Sequence, residues 1–168
     1  MQKDNIILVG MMGSGKSTIG RALAQKLKWN FFDLDFEIEK EHGKISDIFK
    51  NQGEQYFRKI EKETLKRFSD KKNCVISTGG GTVLDKENRF FIKEIAEVFF
   101  LSASAQTIYD RIKNQTHRPL LATENPREKI EEILNSRESI YNSFKEKITT
   151  DNKTIEEIVE ELYEKVSR

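Results

Sequence analysis

The sequence predicts an α/β protein of three layers, with a parallel sheet of five strands between layers of helices. Short apolar runs alternate along the chain with longer segments whose apolar residues recur at helical spacing, which is the pattern of β-α units. The chain has 168 residues, close to the ~150 that are usual for one domain. We therefore expect a single domain over residues 1–168.

The five strands are predicted at the apolar runs NIILVG, NFFDLD, CVIST, EVFFL and KITT. Parallel strands need long crossover connections, which are usually helices. Helices are predicted over residues 17–27, 55–68, 105–112 and 127–141. A last helix is predicted because Thr154 and Glu157 form a capping box ahead of an apolar stripe. The stripe consists of Ile155, Ile158, Val159, Leu162 and Val166.

Charge and composition exclude several classes of partner. The 29 Lys and Arg residues against 28 Asp and Glu give a formal net charge of +1, so the chain as a whole does not attract nucleic acid or acidic membranes. No apolar run approaches the ~18 residues of a membrane span, and nothing resembles a secretory signal. The only cysteine, Cys74, cannot form an internal disulfide. We expect a cytoplasmic monomer without nucleic-acid or membrane partners.

A glycine-rich loop supplies the strongest motif. The stretch GMMGSGKS, residues 10–17, follows an apolar strand, opens a helix and satisfies the pattern G-x-x-x-x-G-K-[ST]. Its backbone N–H groups would surround phosphate oxygens, Lys16 would reach the β and γ phosphates, and the Ser17 hydroxyl would bind Mg²⁺. A chance glycine turn would have to explain all these features together. We predict that a nucleoside triphosphate and Mg²⁺ bind here, with Gly13, Ser14, Gly15, Lys16, Ser17 and Thr18 as nucleotide-binding residues.

Two carboxylates follow at the end of the second apolar run. Asp33 and Asp35 are two residues apart in DLD, so on extended backbone they would project to the same side and Leu34 to the other. Ligands of open parallel sheets lie beyond the carboxyl ends of the strands. We predict that one of the two serves Mg²⁺ and the other the phosphoryl acceptor, although aspartates are also ordinary turn residues. The third run lacks a following aspartate and leads into three glycines, residues 79–81.

Together these segments resemble the shikimate kinases. The stretches GMMGSGKST, DLD, GEQYFRKIE, STGGG, HRPLL and SRESIY match motifs of that family in the family's order. The resemblance covers nearly the whole chain. It implies a P-loop kinase fold and transfer of the γ-phosphoryl group of ATP to the 3-hydroxyl of shikimate, a step of aromatic amino-acid biosynthesis.

The same resemblance assigns roles to individual residues, and it implies that Asp33 acts near Mg²⁺ and Asp35 at the phosphoryl acceptor. Shikimate would contact Asp35, Arg58, Gly79, Gly80, Gly81 and Arg137. The catalytic residues would be Lys16, Asp35 and Arg118, with Arg118 approaching the phosphates and Arg111 lining the adenine side. A substrate-binding segment is expected at about 35–62 and a mobile lid at about 113–126. Glu61 follows Arg58 by three residues and could hold its guanidinium in place.

Other interpretations remain open from the residues alone. Arg58 and Arg137 have many charged neighbours and would fit solvated helix faces. The family often has threonine where Leu34 stands, and the segment TTDNKTIEE lacks an arginine that some members use near adenine, for which Lys153 is a partial substitute. A kinase for another polyol acid such as gluconate, or for a nucleoside monophosphate, fits the same motifs. A nucleotide-dependent switch fits less well, because NKTI has Ile155 where guanine recognition requires aspartate. A pure interaction module is the third class.

Overall fold

The computed structural model describes residues 3–115 and 123–167. Its strands are β1 (Asn5–Val9), β2 (Asn30–Asp33), β3 (Cys74–Ser77), β4 (Glu97–Ser102) and β5 (Glu146–Thr149). Its helices are α1 (Lys16–Leu27), α2 (Leu34–His42), α3 (Ile45–Lys66), α4 (Lys86–Ile95), α5 (Ala105–Ile112), α6 (Pro126–Ser136), α7 (Glu138–Tyr141) and α8 (Ile155–Val166). A short 3₁₀ helix spans Thr82–Leu84.

The strands form one sheet in the order β2-β3-β1-β4-β5, and all four neighbouring pairs are parallel. Alternating residues of β1 serve opposite faces of the sheet, as the strand period of two requires. Ile6 and Leu8 pack with α1 and α8, whereas Ile7 and Val9 pack with α2, α3 and α4. The predicted three-layer α/β/α architecture is confirmed.

A third apolar cluster lies beside the glycine-rich loop. Met11 and Ala103 pack there against Ile108 and Ile112 of α5 and Ile130 of α6. Because Met11 belongs to the loop that follows β1, this cluster joins that loop to the helices on either side of residues 116–122.

The strand prediction was wrong at DLD. β2 ends at Asp33, whose side chain accepts hydrogen bonds from the backbone N–H groups of Asp35 (3.1 Å) and Phe36 (3.3 Å). Asp33 is thus the N-cap of α2, because a carboxylate in this position satisfies N–H groups that lack a helical partner. Asp35 lies in the first turn of α2, and Leu34 is fully buried in the core.

The helix predictions differ from the structure in four further places, one of which is α4 (Lys86–Ile95), a helix that was not predicted. The helix predicted at 55–68 is the second part of α3, which begins at Ile45 and is interrupted at Gly53 (φ +82°). The helix predicted at 127–141 is divided at Arg137 into α6 and α7. In the last helix the capping box is confirmed, but Ile155 is exposed while the rest of the stripe is buried. The bounds of α5 agree with the prediction.

Among the described residues, no helix is long and apolar enough to cross a membrane. Cys74 is buried, and burial raises the pKa of its thiol. The residue therefore behaves as a small apolar side chain in β3.

Candidate active site

The glycine-rich loop connects the carboxyl end of β1 to the start of α1. Three of its glycines have positive φ: +150° at Gly10, +79° at Gly13 and +97° at Gly15. A Cβ atom at Gly10 would lie 2.6 Å from the carbonyl oxygen of Leu101. These positions need glycine because an L side chain would be strained and, at Gly10, would clash with β4.

This loop presents positive charge and N–H groups at the start of α1. Gly15 is the N-cap and has no side chain to satisfy the first N–H groups of the helix. Lys16 is buried, and its ammonium donates a hydrogen bond to the carbonyl oxygen of Met11 at 2.9 Å. Ser14 is fully buried and its N–H also donates to Met11, at 3.1 Å. The arrangement fits a bound phosphate chain, because helix N-termini and ammonium groups attract anions.

Oxygen atoms suited to Mg²⁺ meet beside Lys16. The Ser17 hydroxyl hydrogen-bonds the Asp33 carboxylate and lies 3.4 Å from the hydroxyl of Ser77. Asp33 and Ser77 are paired residues of β2 and β3, which brings their side chains together. Within residues 3–115 and 123–167, no three His, Cys, Asp or Glu side chains form a metal-binding cluster. The hydroxyl and the carboxylate fit a Mg²⁺ ion whose other ligands are phosphate and water oxygens.

Asp35 is the most perturbed carboxyl of this region. Burial raises its pKa to about 6, and the negative charges of Asp33 and Glu61 act in the same direction, while Lys16 acts against them. The side chain lines both of the cavities at this edge of the sheet. Asp35 therefore stands at the junction between the glycine-rich loop of residues 10–17, here named the phosphate loop, and a second, smaller cavity.

The smaller cavity has a volume of about 220 Å³ and is lined by residues from five segments of the chain. Apolar walls come from Met11, Ile45, Phe49, Phe57 and Ile133. The polar lining comes from Asp35, Arg58, Glu61, the three glycines at 79–81 and Arg137. The combination suits a small ligand with an apolar body, hydroxyl groups and a negative charge.

Arg58 is held by a buried acid. Its Nη1 donates to the Glu61 carboxylate at 2.9 Å, and Glu61 also accepts a hydrogen bond from the Thr82 hydroxyl at 2.7 Å. Glu61 is only 1% exposed, so its charge requires these partners. The guanidinium also lies 5.1 Å from the ring centroid of Phe57. The predicted Arg58–Glu61 pair is confirmed.

Arg137 approaches the same cavity from the junction of α6 and α7. Its Nη1 donates to the carbonyl oxygen of Gly80 at 3.0 Å. Burial raises the pKa of the nearby Tyr141 phenol, and the Arg137 guanidinium lowers it in part. Neither arginine is a solvated residue without partners, which was the alternative open from the sequence.

The larger cavity has a volume of about 820 Å³ and follows the phosphate loop toward α5 and α8. Arg111, Lys153 and Ile155 line its far end. Arg111 donates to the carbonyl oxygens of Gly13 (3.3 Å), Ser14 (3.2 Å) and Thr150 (3.2 Å). Lys153 forms an ion pair with Glu161 at 2.6 Å.

All but one of the predicted site residues within the described ranges line the two cavities; Ser14 is fully buried and lines neither. The larger cavity is lined by Gly13, Gly15, Lys16, Ser17, Thr18, Asp33 and Arg111, the smaller one by Arg58, Gly79, Gly81 and Arg137, and both by Asp35 and Gly80. Arg118 and residues 116–122 of the lid predicted at 113–126 lie outside the described residues. Two residues of the site, Ser77 and Thr82, were not predicted from the sequence. The motif STGGG contains Ser77, but only its glycines were predicted to contact a ligand.

A family model and curated relatives that match this chain all point to the same family. The shikimate kinase family model matches residues 12–167. The shikimate kinase of Persephonella marina is 46% identical over 159 residues, covering 94% of this chain and 96% of its own length. That of Thermodesulfovibrio yellowstonii is 44% identical over 165 residues, covering 98% and 95%.

Solved structures agree on the fold. A shikimate kinase from Acinetobacter baumannii in complex with shikimate has a TM-score of 0.92 and 34% identity, covering 98% of this chain and 93% of its own. A gluconokinase from Sinorhizobium meliloti, 16% identical with a TM-score of 0.58 and covering 99% and 93%, shares the fold alone. With a family model and relatives that match nearly the entire chain, this protein belongs to the shikimate kinase family.

Proposed function

We propose that this chain transfers the γ-phosphoryl group of ATP to the 3-hydroxyl of shikimate, producing 3-phosphoshikimate and ADP in aromatic amino-acid biosynthesis. The observation that carries this proposal is the small cavity beside the phosphate loop, in which Arg58 and Arg137 meet Asp35. Shikimate has a carboxylate at one end of its ring and hydroxyl groups at the other, and the cavity offers a partner for each.

The two arginines would bind the carboxylate of shikimate. A guanidinium is a planar fork of donors that fits a carboxylate better than an ammonium does. Arg58 and Arg137 are each held in place, by Glu61 and by the Gly80 carbonyl. Pre-organised donors lose less side-chain entropy on binding. The backbone of residues 79–81 would complete the wall of the shikimate site.

Asp35 would orient the 3-hydroxyl and receive its proton as the oxygen attacks the γ-phosphorus. With a pKa of about 6, the carboxyl is ionised at neutral pH and is a stronger base than an ordinary aspartate. Its position between the two cavities supports this role, because the acceptor oxygen must meet the end of the phosphate chain.

The phosphates of ATP would lie in the glycine-rich loop, with Lys16 on the transferred group. Phosphoryl transfer depends mainly on positioning and on stabilising charge. Ser17 and Asp33 would hold Mg²⁺, directly or through water, and the ion would neutralise charge on the β and γ phosphates. From the family resemblance we assign Arg118 to the transferred phosphoryl group. Arg111 would serve the nucleotide side.

We further propose one domain over 1–168, with a substrate-binding segment at about 35–62 and a lid at about 113–126. A cytoplasmic monomer without nucleic-acid or membrane partners completes the proposal. The buried thiol of Cys74 fits a reducing compartment. The near-balanced charge of the chain fits a small-molecule substrate.

Product analysis with a panel of acceptors tests this function. The protein is incubated with ATP, Mg²⁺ and either shikimate, gluconate or a nucleoside monophosphate, and phosphorylated products are identified by ³¹P NMR and mass spectrometry. We expect phosphate on the 3-hydroxyl of shikimate and little product from the other acceptors. Preferential phosphorylation of gluconate or of a nucleotide would replace the proposed substrate.

A further inference from the structure

Asp151 makes an unusual set of contacts at the start of the loop between β5 and α8. Its two carboxylate oxygens accept the backbone N–H of Ser104 at 3.0 and 3.2 Å, and one of them accepts the Thr107 hydroxyl at 2.5 Å. Ser104 is the N-cap of α5, and its own hydroxyl accepts the N–H of Thr107 at 3.2 Å. Through these hydrogen bonds, Asp151 holds the first turn of α5 against the segment that follows β5.

The other end of α5 is hydrogen-bonded to Thr150, the residue that precedes Asp151. Arg111 lies in the last turn of α5 and donates to both the hydroxyl (3.1 Å) and the carbonyl oxygen (3.2 Å) of Thr150. Thr150 is fully buried, and its N–H donates to the carbonyl oxygen of Ser102 at 2.8 Å. Consecutive residues, Thr150 and Asp151, thus hold the two ends of one helix.

This helix supports the phosphate loop directly. The Arg111 guanidinium that binds Thr150 also donates to the carbonyl oxygens of Gly13 and Ser14. A Cβ atom at Gly13 would lie 2.8 Å from a methyl group of Ile112 and 3.1 Å from one of Ile108. The loop backbone is therefore in close contact with α5, and a movement of that helix would displace the N–H groups that face the phosphates.

We propose that Asp151 is a positioning residue that sets the nucleotide affinity of the phosphate loop through α5 and Arg111, without contacting the nucleotide. In the described part of the chain, Asp151 does not line the nucleotide cavity. The proposal rests on the proposed function only in taking the loop as the nucleotide site. Burial acts to raise the pKa of Asp151, but hydrogen bonds from Thr107 and Ser104 outweigh it and hold the pKa below its ordinary value.

The sign of the effect separates positioning from simple electrostatics. Asp151 is a negative charge near a site for a polyanion, so removing it would strengthen ADP binding if only Coulomb repulsion mattered. Loss of positioning has the opposite sign, because the loop would have to be ordered when ADP binds. For Asp151→Ala we expect ADP affinity to fall about tenfold, which corresponds to roughly 1.4 kcal/mol.

Calorimetric titration of ADP, and separately of shikimate, tests the proposal. Asp151→Ala should weaken ADP binding and leave shikimate binding unchanged. Asp151→Asn should restore much of the ADP affinity, because the amide oxygen can still accept the N–H of Ser104. Asp85→Ala is the matched control, since Asp85 caps α4 through the N–H groups of Glu87 and Asn88. It should lower the melting temperature without changing ADP affinity.

Asp110→Asn controls for charge, because Asp110 lies on the outer side of α5 and pairs with Lys113. Unchanged or tighter ADP binding by Asp151→Ala would overturn the proposal, as would equal weakening of ADP and shikimate. If Asp151→Ala does not fold, a Thr107→Val variant that folds and binds ADP as tightly as the unaltered protein would overturn it, because that variant loses the hydroxyl bonded to Asp151. ADP binding needs no acceptor, so a failure of the shikimate assignment would leave this test intact.

Discussion

The guanidinium of Arg58 is bonded to the buried carboxylate of Glu61 at 2.9 Å and to the exposed carboxylate of Glu54 at 3.4 Å. The two acids occupy the same helix, but Glu61 is 1% exposed in its side chain and Glu54 is 66% exposed. A buried ion pair fixes geometry far more strongly than a solvated one, because solvent screens the exposed pair. Glu61 is therefore the residue that orients Arg58 toward the small cavity.

We predict that Arg58→Ala weakens shikimate binding about ten- to a hundredfold, as expected for the loss of a charge-assisted hydrogen bond of roughly 1.5–3 kcal/mol. Glu61→Gln should weaken it by a smaller factor, because the amide pairs less well with a guanidinium. Glu54→Gln is the matched control and should have little effect. Titrations of shikimate and of ADP with each variant provide the measurement. Equal effects of the two glutamate variants would contradict the role of Glu61.

We predict that Gly81→Ala acts through Arg58. A Cβ atom at Gly81 would lie 2.5 Å from Nη2 and 2.8 Å from Nη1 of Arg58, so the guanidinium must move. Shikimate affinity should fall roughly tenfold, since one well-placed contact is lost, while ADP affinity stays the same. At Gly43 a Cβ atom would meet nothing within 4 Å, although φ is +84°. Gly43→Ala should therefore reduce stability through backbone strain and leave shikimate binding intact.

We predict that activity falls as the pH is lowered through about 6, the pKa of Asp35, because a protonated carboxyl cannot receive the proton of the acceptor hydroxyl. Asp35→Asn should lower kcat by about 10²- to 10⁴-fold, the range typical of a lost general base. The pH dependence of kcat for the unaltered protein checks the first expectation. A rate that stays constant from near pH 7 down to near pH 5 would contradict it.

Stability should depend on Asp35 in the opposite direction to activity. The pKa of Asp35 is raised from 3.8 to about 6 in the folded protein, so the folded state binds the proton more tightly than the unfolded chain. The contribution of Asp35 to the free energy of unfolding therefore falls as pH rises through this window. Above it, Asp35→Asn should be more stable than the unaltered protein by about 2–3 kcal/mol. Urea denaturation between about pH 5 and 8 measures this, and a pH-independent difference would contradict the raised pKa.

We predict that Asp33→Asn increases the Mg²⁺ concentration required for half-maximal activity. Asparagine caps helices as well as aspartate does, so α2 should be retained while the negative charge beside Ser17 is lost. The same substitution at Asp85, the cap of α4, controls for capping. The Mg²⁺ dependence of ADP binding supplies a second readout. An unchanged Mg²⁺ requirement in Asp33→Asn would remove Asp33 from the metal site.

Local signals were sufficient for much of the fold. The bounds of α5, the capping box of α8 and the five parallel strands follow from apolar spacing and capping residues near one another in the chain. The start of α2 was missed because the predicted strand NFFDLD extends through Asp35, two residues beyond the end of β2. The hydrogen bonds of Asp33 to two backbone N–H groups begin a helix there instead.

The candidate site could not be predicted from local signals, because it is formed by contacts between segments that are distant in the sequence. Arg58 and Arg137 belong to different helices, and nothing in their spacing shows that both reach one cavity; the family motifs supplied that expectation. Arg111 was expected beside the nucleotide, and the structure adds its bonds to Gly13, Ser14 and Thr150. These hydrogen bonds connect loops that follow different strands. They therefore depend on the order of the strands in the sheet, which determines which loops are neighbours.

We propose that the phosphate loop and the small cavity act together as one kinase site. The most direct measurement is the rate of ADP release with ATP and Mg²⁺, with and without shikimate. We predict strong dependence on shikimate, because the bound acceptor completes the site and excludes water. Lys16→Ala should lower the shikimate-dependent rate, because it removes about 3–4 kcal/mol of transition-state stabilisation, the size of one pre-organised electrostatic contact. Equal rates of ADP release with and without shikimate would show that the loop and the small cavity do not act as one kinase site.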